Sequence, residues 1–144
     1  MKDSVNYPPQ YRHHPSEVAC IDVIEAWSFP LGSAFKCLYR CGHDGDYAHD
    51  LRKARFYVEK EIAVREKIFL RLWTGESLWC YKTDTSEKER RVIMGDHRFS
   101  GHMKYAMISL IQAAHCPRGT DGLRTTIEKI DTMLRILNRK RRNL

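Results

Sequence analysis

At 144 residues the chain has room for one domain, or one domain with an appendage, and for a real core. Its 42% hydrophobic and 30% charged residues are those of a folded globular protein, no apolar run approaches a membrane span, and Met1 to Gln10 lacks the pattern of a secretion signal. A cytoplasmic location is therefore expected, and the formal net charge of +7 favours anionic partners: nucleotides, nucleic acid or phosphorylated metabolites.

The pattern predicts a mainly α fold, a bundle of helical hairpins with a small β-hairpin or flap inserted. It divides into residues 1–73, the insertion at 74–100, and a C-terminal helical hairpin with a basic tail at 101–144. Prolines 8, 9 and 15 make the leader extended and turn-rich. Such a segment either covers the core or points Asn6, Tyr11, Arg12, His13 and His14 at an anionic ligand.

Ser16 is placed to cap a first helix running to about Phe29, ended by Pro30. Asp22 and Glu25 are neighbours on its polar side, where they either pair with bases of the next helix or belong to a site. A second helix is predicted over residues 33–41, closed by Gly42, with Lys36 and Arg40 four apart on one face. A cationic pair of that kind either satisfies Asp22 and Glu25 or holds phosphate. Asp46 can cap a third helix reaching about Trp73. On it Asp50, Lys53, Tyr57 and Glu61 form a mixed polar stripe beside an apolar stripe of Leu51, Ala54, Val58 and Ile62.

Residues 78–81 and 92–94, flanking a polar stretch, read as the two strands of the flap. Its aromatic residues, with Trp73, are expected to pack on the domain. Two further amphipathic helices, over 100–115 and 120–139, carry apolar sets of bundle type: Met103, Ala106, Met107, Leu110 and Ile111 against Leu123, Ile127, Ile130, Met133, Leu134 and Leu137. The cationic end, Arg139 to Arg142, reads as a solvated tail that offers a surface to nucleic acid or a host protein.

Five cysteines at irregular spacing argue for reduced, mostly buried thiols, and Cys37, Cys41 and His43 lack a fourth zinc ligand at short spacing. There is no glycine-rich phosphate loop, no dinucleotide fingerprint, no zinc-protease motif and no nucleophile elbow. Phosphate handling would therefore rest on side chains and helix ends.

Val5, Asn6, Pro8 and Tyr11, the run Ile21 to Ala26, then Leu31, Gly32, Ala34 and Lys36, Arg40 with Gly42, and Asp50, Leu51, Lys53, Ala54 and Tyr57 together make a specific pattern. On these residues the segment 5–62 resembles the SaV-like family of tailed-phage proteins, which includes the C-terminal domain of a podophage nucleotide kinase. Gln10 stands where that pattern has histidine, and His43 and Asp44 replace its lysine. The resemblance implies transfer of phosphate from a nucleoside triphosphate to a deoxynucleoside monophosphate in the cytoplasm of an infected bacterium. Asp22, Glu25, Lys36, Arg40 and Asp50 would then be catalytic, and Asn6, Tyr11, Arg12, His13, His14, Lys53 and Tyr57 would bind nucleotide or phosphate. Mg²⁺, if used, would fall to Asp22, Glu25 and Asp50. The second reading is an all-α MazG-like nucleotide pyrophosphatase, which gathers acids around Mg²⁺; the third is a non-enzymatic accessory that binds nucleotide, nucleic acid or a host protein. Short amphipathic hairpins often complete their cores across subunits, so a homo-oligomer is expected.

Overall fold

The computed structural model describes residues 5, 8, 14–43, 45–71, 85–116 and 119–144. Its helices are α1 (Ile21–Ile24), α2 (Phe29–Arg40), α3 (Tyr47–Arg71), α4 (Glu87–Gly95), α5 (His102–His115) and α6 (Asp121–Arg142). A 3₁₀ turn, Arg98–Gly101, lies between α4 and α5. No strand occurs among the described residues.

Two antiparallel hairpins form the body. In the first, Ser28 at the start of α2 donates from Oγ to Glu61 of α3 at 3.1 Å, and Arg40 at its end reaches Asp50. In the second, Ser109 of α5 and Thr126 of α6 meet hydroxyl to hydroxyl at 2.7 Å. The hairpins join through α3 and α6, which run antiparallel: Arg55 pairs with Asp131, and Glu66 with Arg124. The predicted apolar stripes become one core, with Leu51, Ala54 and Val58 of α3, Met103, Ala106, Met107, Leu110 and Ile111 of α5, and Leu123, Ile130 and Met133 of α6 all buried.

The first helix is shorter than predicted. Glu17 has a left-handed backbone, with φ of 58°, which an α-helix cannot incorporate. Ser16 Oγ instead serves its own bend by accepting from the N–H of Val18. Helix α2 starts earlier than predicted, because Ser28 is its N-cap, with Oγ accepting from the N–H of Leu31, and Pro30 sits in the first turn. There the missing proline N–H costs no helical hydrogen bond. Asp46 does cap α3, its Oδ1 accepting from the N–H of His49.

The flap is also corrected. Residues 92–94, read as a strand, lie inside α4, with Val92 buried and Met94 exposed. A capping box starts this helix: Ser86 Oγ accepts from the N–H of Glu89, and the Glu89 carboxylate accepts from the N–H of Ser86. Residues 78–81, read as the other strand, lie outside the described residues. Helix α5 begins at His102 because Phe99, Ser100 and Gly101 all have positive φ, and α6 continues to Arg142. Cys20, Cys37 and Cys41 are free and buried, as expected of core thiols; Cys116 departs from that expectation in being disulfide-bonded. No helix among the described residues is long and apolar enough to cross a membrane.

Candidate functional site

A concavity of about 230 Å³ opens where the end of α2, the α2–α3 turn, the start of α3, His14 and the residues after α4 converge. Its lining includes His14, Tyr39, Arg40, Gly42, His43, Tyr47, Asp96, His97 and Arg98. Basic and aromatic side chains dominate it.

Asp96, which follows α4 directly, anchors the floor. It is buried, and its carboxylate takes hydrogen bonds from His14 Nε2 at 3.3 Å and from Arg98 Nη2 at 2.7 Å, besides the backbone N–H of Arg98 at 3.0 Å. Burial alone would raise the carboxyl's pKa; the bonds from His14 and Arg98 and the charge of Arg98 outweigh it and hold Asp96 below the usual carboxylate range. The backbone N–H of Ser16 donates to Nδ1 of His14, so the proton of a neutral ring sits on Nε2, where it faces Asp96. Ser16 Oγ lies 2.8 Å from the same Nδ1. The imidazole stacks on Tyr39 at 5.0 Å between centroids. Tyr39 donates from its hydroxyl to the carbonyl of Val18, and burial pushes its phenol pKa up, so it stays a donor.

Two arginines frame this floor. Arg98 Nη1 donates to the carbonyl of Cys41 at 2.8 Å, tying the segment after α4 to the end of α2. Arg40 donates from Nε and Nη2 to Asp50 Oδ1 at 3.2 and 3.0 Å. Between them the chain turns through Gly42, at φ of 82°; a Cβ there would lie 2.2 Å from the ring of Tyr47, so glycine is required for both backbone and space. Tyr47 in turn meets Phe99 edge to face.

Of the residues singled out in the sequence, the structure brings His14, Arg40, His43 and, beneath Arg40, Asp50 to this concavity. Asp22 lies 3.9 Å from Lys88 of α4, and Glu25 is exposed at the end of α1. The anticipated pairing of those acids with Lys36 and Arg40 is thus replaced, for Asp22, by Lys88, and for Arg40, by Asp50. Lys36 and Lys53 are exposed, while Tyr57 is half-buried between Phe29 and Phe56, an aromatic contact rather than a place in the concavity. Asn6, Tyr11, Arg12 and His13 lie outside the described residues, as do Gln10 and Asp44. No group of three His, Cys, Asp or Glu side chains among the described residues is placed to hold a metal, so Asp22, Glu25 and Asp50 do not form the Mg²⁺ set the resemblance implies.

Sequence reasoning missed Tyr39, Tyr47, Asp96, His97 and Arg98. Tyr39 sat within an apolar helix, and nothing local to Asp96 announces a partner 82 residues away. The thiols are poor nucleophiles: burial pushes Cys20 and Cys41 up to about 12 and raises Cys37.

Comparison with protein-family models, curated proteins and solved structures finds no match to this chain.

Proposed function

We propose that the concavity receives the phosphate end of a deoxynucleoside monophosphate, and that the protein transfers to it the γ-phosphoryl group of a nucleoside triphosphate, yielding two diphosphates. The observation that carries this reading is the convergence of Arg40, Arg98, His14, His43 and His97 on one concave surface. Phosphoryl transfer is largely positioning and neutralisation of phosphate charge, and guanidinium groups braced by Asp50 and Asp96 are held in fixed orientation for that task. At about 230 Å³ the cavity is smaller than sites that swallow a drug-sized ligand, which suits a phosphate and sugar with the base at the mouth, near Tyr47. The resemblance of residues 5–62 to the SaV-like family supports the same chemistry.

The pyrophosphatase reading stands second, because its acids must gather around Mg²⁺, whereas Asp22 is turned to Lys88 and Asp50 to Arg40. Incubating the protein with a panel of deoxynucleoside monophosphates and a triphosphate tests the choice. Diphosphates are expected; pyrophosphate release would favour the second reading, and failure of any mononucleotide to bind would overturn both. His97 is exposed, so His97→Ala keeps the fold and is expected to weaken monophosphate binding about tenfold, the size of one charge-assisted hydrogen bond.

A further inference from the structure

Residues 132–144 contain five cations and no acid, against a net charge of +7 for the whole chain. A basic helix end favours its own macrodipole, which accounts for one or two of these charges but not for their placement. At about 100° per residue, Arg135, Arg139 and Arg142 fall in one strip about 60° wide, while Lys140 and Arg141 point about 130° away from its middle. The strip lies opposite the face of α6 that buries Leu123, Ile130 and Met133, and all three arginines are exposed.

Helix α3 adds to it. The Arg55–Asp131 pair sets the antiparallel register, which puts Arg52, exposed and one turn from Arg55, level with the helical turn that carries Arg135. The ion pairs that α6 makes, with Arg55 and with Glu66, lie in its first half; among the described residues none involves Arg139, Lys140, Arg141 or Arg142. Along the axis the three arginines are spaced by about 6 and about 4.5 Å.

We propose that Arg52, Arg135, Arg139 and Arg142 form a docking surface for the phosphate backbone of duplex nucleic acid. Three guanidinium groups along one helix, with a fourth beside the first of them on α3, present a regular array of cations to a regular polyanion, and arginine bonds phosphate bidentately. Helix α6 contains no aromatic residue, so its three arginines lack a platform on which unpaired bases would stack, as a single-strand site requires, and Phe56, one turn from Arg52 on α3, has its ring engaged by Tyr57 and Lys60. Its apolar face is spent on the core, leaving none to enter a lipid surface. The surface is separate from the concavity, and its variants leave mononucleotide binding unchanged.

The test is fluorescence anisotropy of the full chain with a labelled duplex oligonucleotide over a range of salt. Four phosphate contacts give a log–log salt slope of about −3.6, and Arg135→Gln with Arg142→Gln is expected to shift it by about 2 and to weaken low-salt binding at least tenfold. Lys140→Gln with Arg141→Gln removes the same charge from outside the strip and is expected to change affinity less than threefold. Equal losses in the two double variants would overturn the proposal, as would a wild-type slope shallower than about −2. So would tighter binding to the matching single strand, or binding confined to vesicles containing anionic phospholipid.

Discussion

Nε2 of His14 faces Oδ2 of Asp96 at 3.3 Å, joining residues 82 apart in the chain, and both side chains are buried. Asp96 is held below its ordinary pKa of 3.8, so the stabilisation it contributes is complete above that value and is lost as the pH falls below it toward the folded value. Acid titration of wild type should therefore show a steep loss of stability below about pH 4, and Asp96→Asn should flatten that part of the curve. At neutral pH the same substitution is expected to cost about 3 kcal/mol in urea unfolding, since Arg98 loses its buried carboxylate.

Arg65 works at the other end of the bundle. It bonds Glu61 at 3.1 Å and donates to the carbonyls of Ala113 and Cys116 at the end of α5 and of Gly119 just before α6. Arg65→Met should destabilise the protein by about 3–5 kcal/mol, because Glu61 and those carbonyls are left buried without their donor. Adding Glu61→Leu should recover a substantial part of the loss. Denaturant unfolding followed by circular dichroism measures both; no recovery in the double variant would place the cost in the carbonyls alone.

Gly42 and Gly45 offer a matched comparison. Both have positive φ, but a Cβ at Gly45 meets nothing within 4 Å, whereas one at Gly42 runs into the ring of Tyr47. Gly45→Ala is expected to cost about 1 kcal/mol, the price of the left-handed backbone alone. Gly42→Ala should cost about 1–3 kcal/mol more, through displacement of Tyr47. It should also weaken mononucleotide binding, because both residues line the concavity.

Burial governs the thiols. With Cys20 and Cys41 pushed up to about 12, alkylation near pH 8 followed by peptide mapping should leave both unmodified in the folded protein and modify both in denaturant. Rapid labelling of either under native conditions would contradict their burial.

How much of this was legible in the sequence follows the range of the interactions. The stripes of α3, α5 and α6 were readable because helical periodicity is local, and Leu51, Ala54, Val58, Met103, Ala106, Met107, Leu110 and Ile111 are buried as that periodicity requires. The α4 region misled because Val92, Ile93 and Met94 are strand-like in composition, although the capping pair Ser86 and Glu89 stood just upstream. Ser16 looked like a helix cap and instead bonds the His14 ring, a use that becomes visible only once Asp96 is folded against it. Of the site, Arg40, Asp50 and His14 were flagged by charge and spacing. Asp96 and Arg98 were not, since their roles depend on contacts with His14 and Cys41 far away in the chain.

Glu89 closes the capping box of α4 with one carboxylate that also meets His115 Nε2 at 2.7 Å, at the end of α5. Helix α4 leads straight into Asp96, His97 and Arg98, and Arg91 on it bonds the carbonyl of Ser16 at 2.9 Å. A short helix of this kind has little stability of its own, so its order depends on the end of α5 that it is bonded to. One wall of the cavity thereby shares the stability of a distant helix end, and amide protons of α4 should exchange with those of the final turn of α5 as one cooperative unit, slowed together when a ligand occupies the cavity.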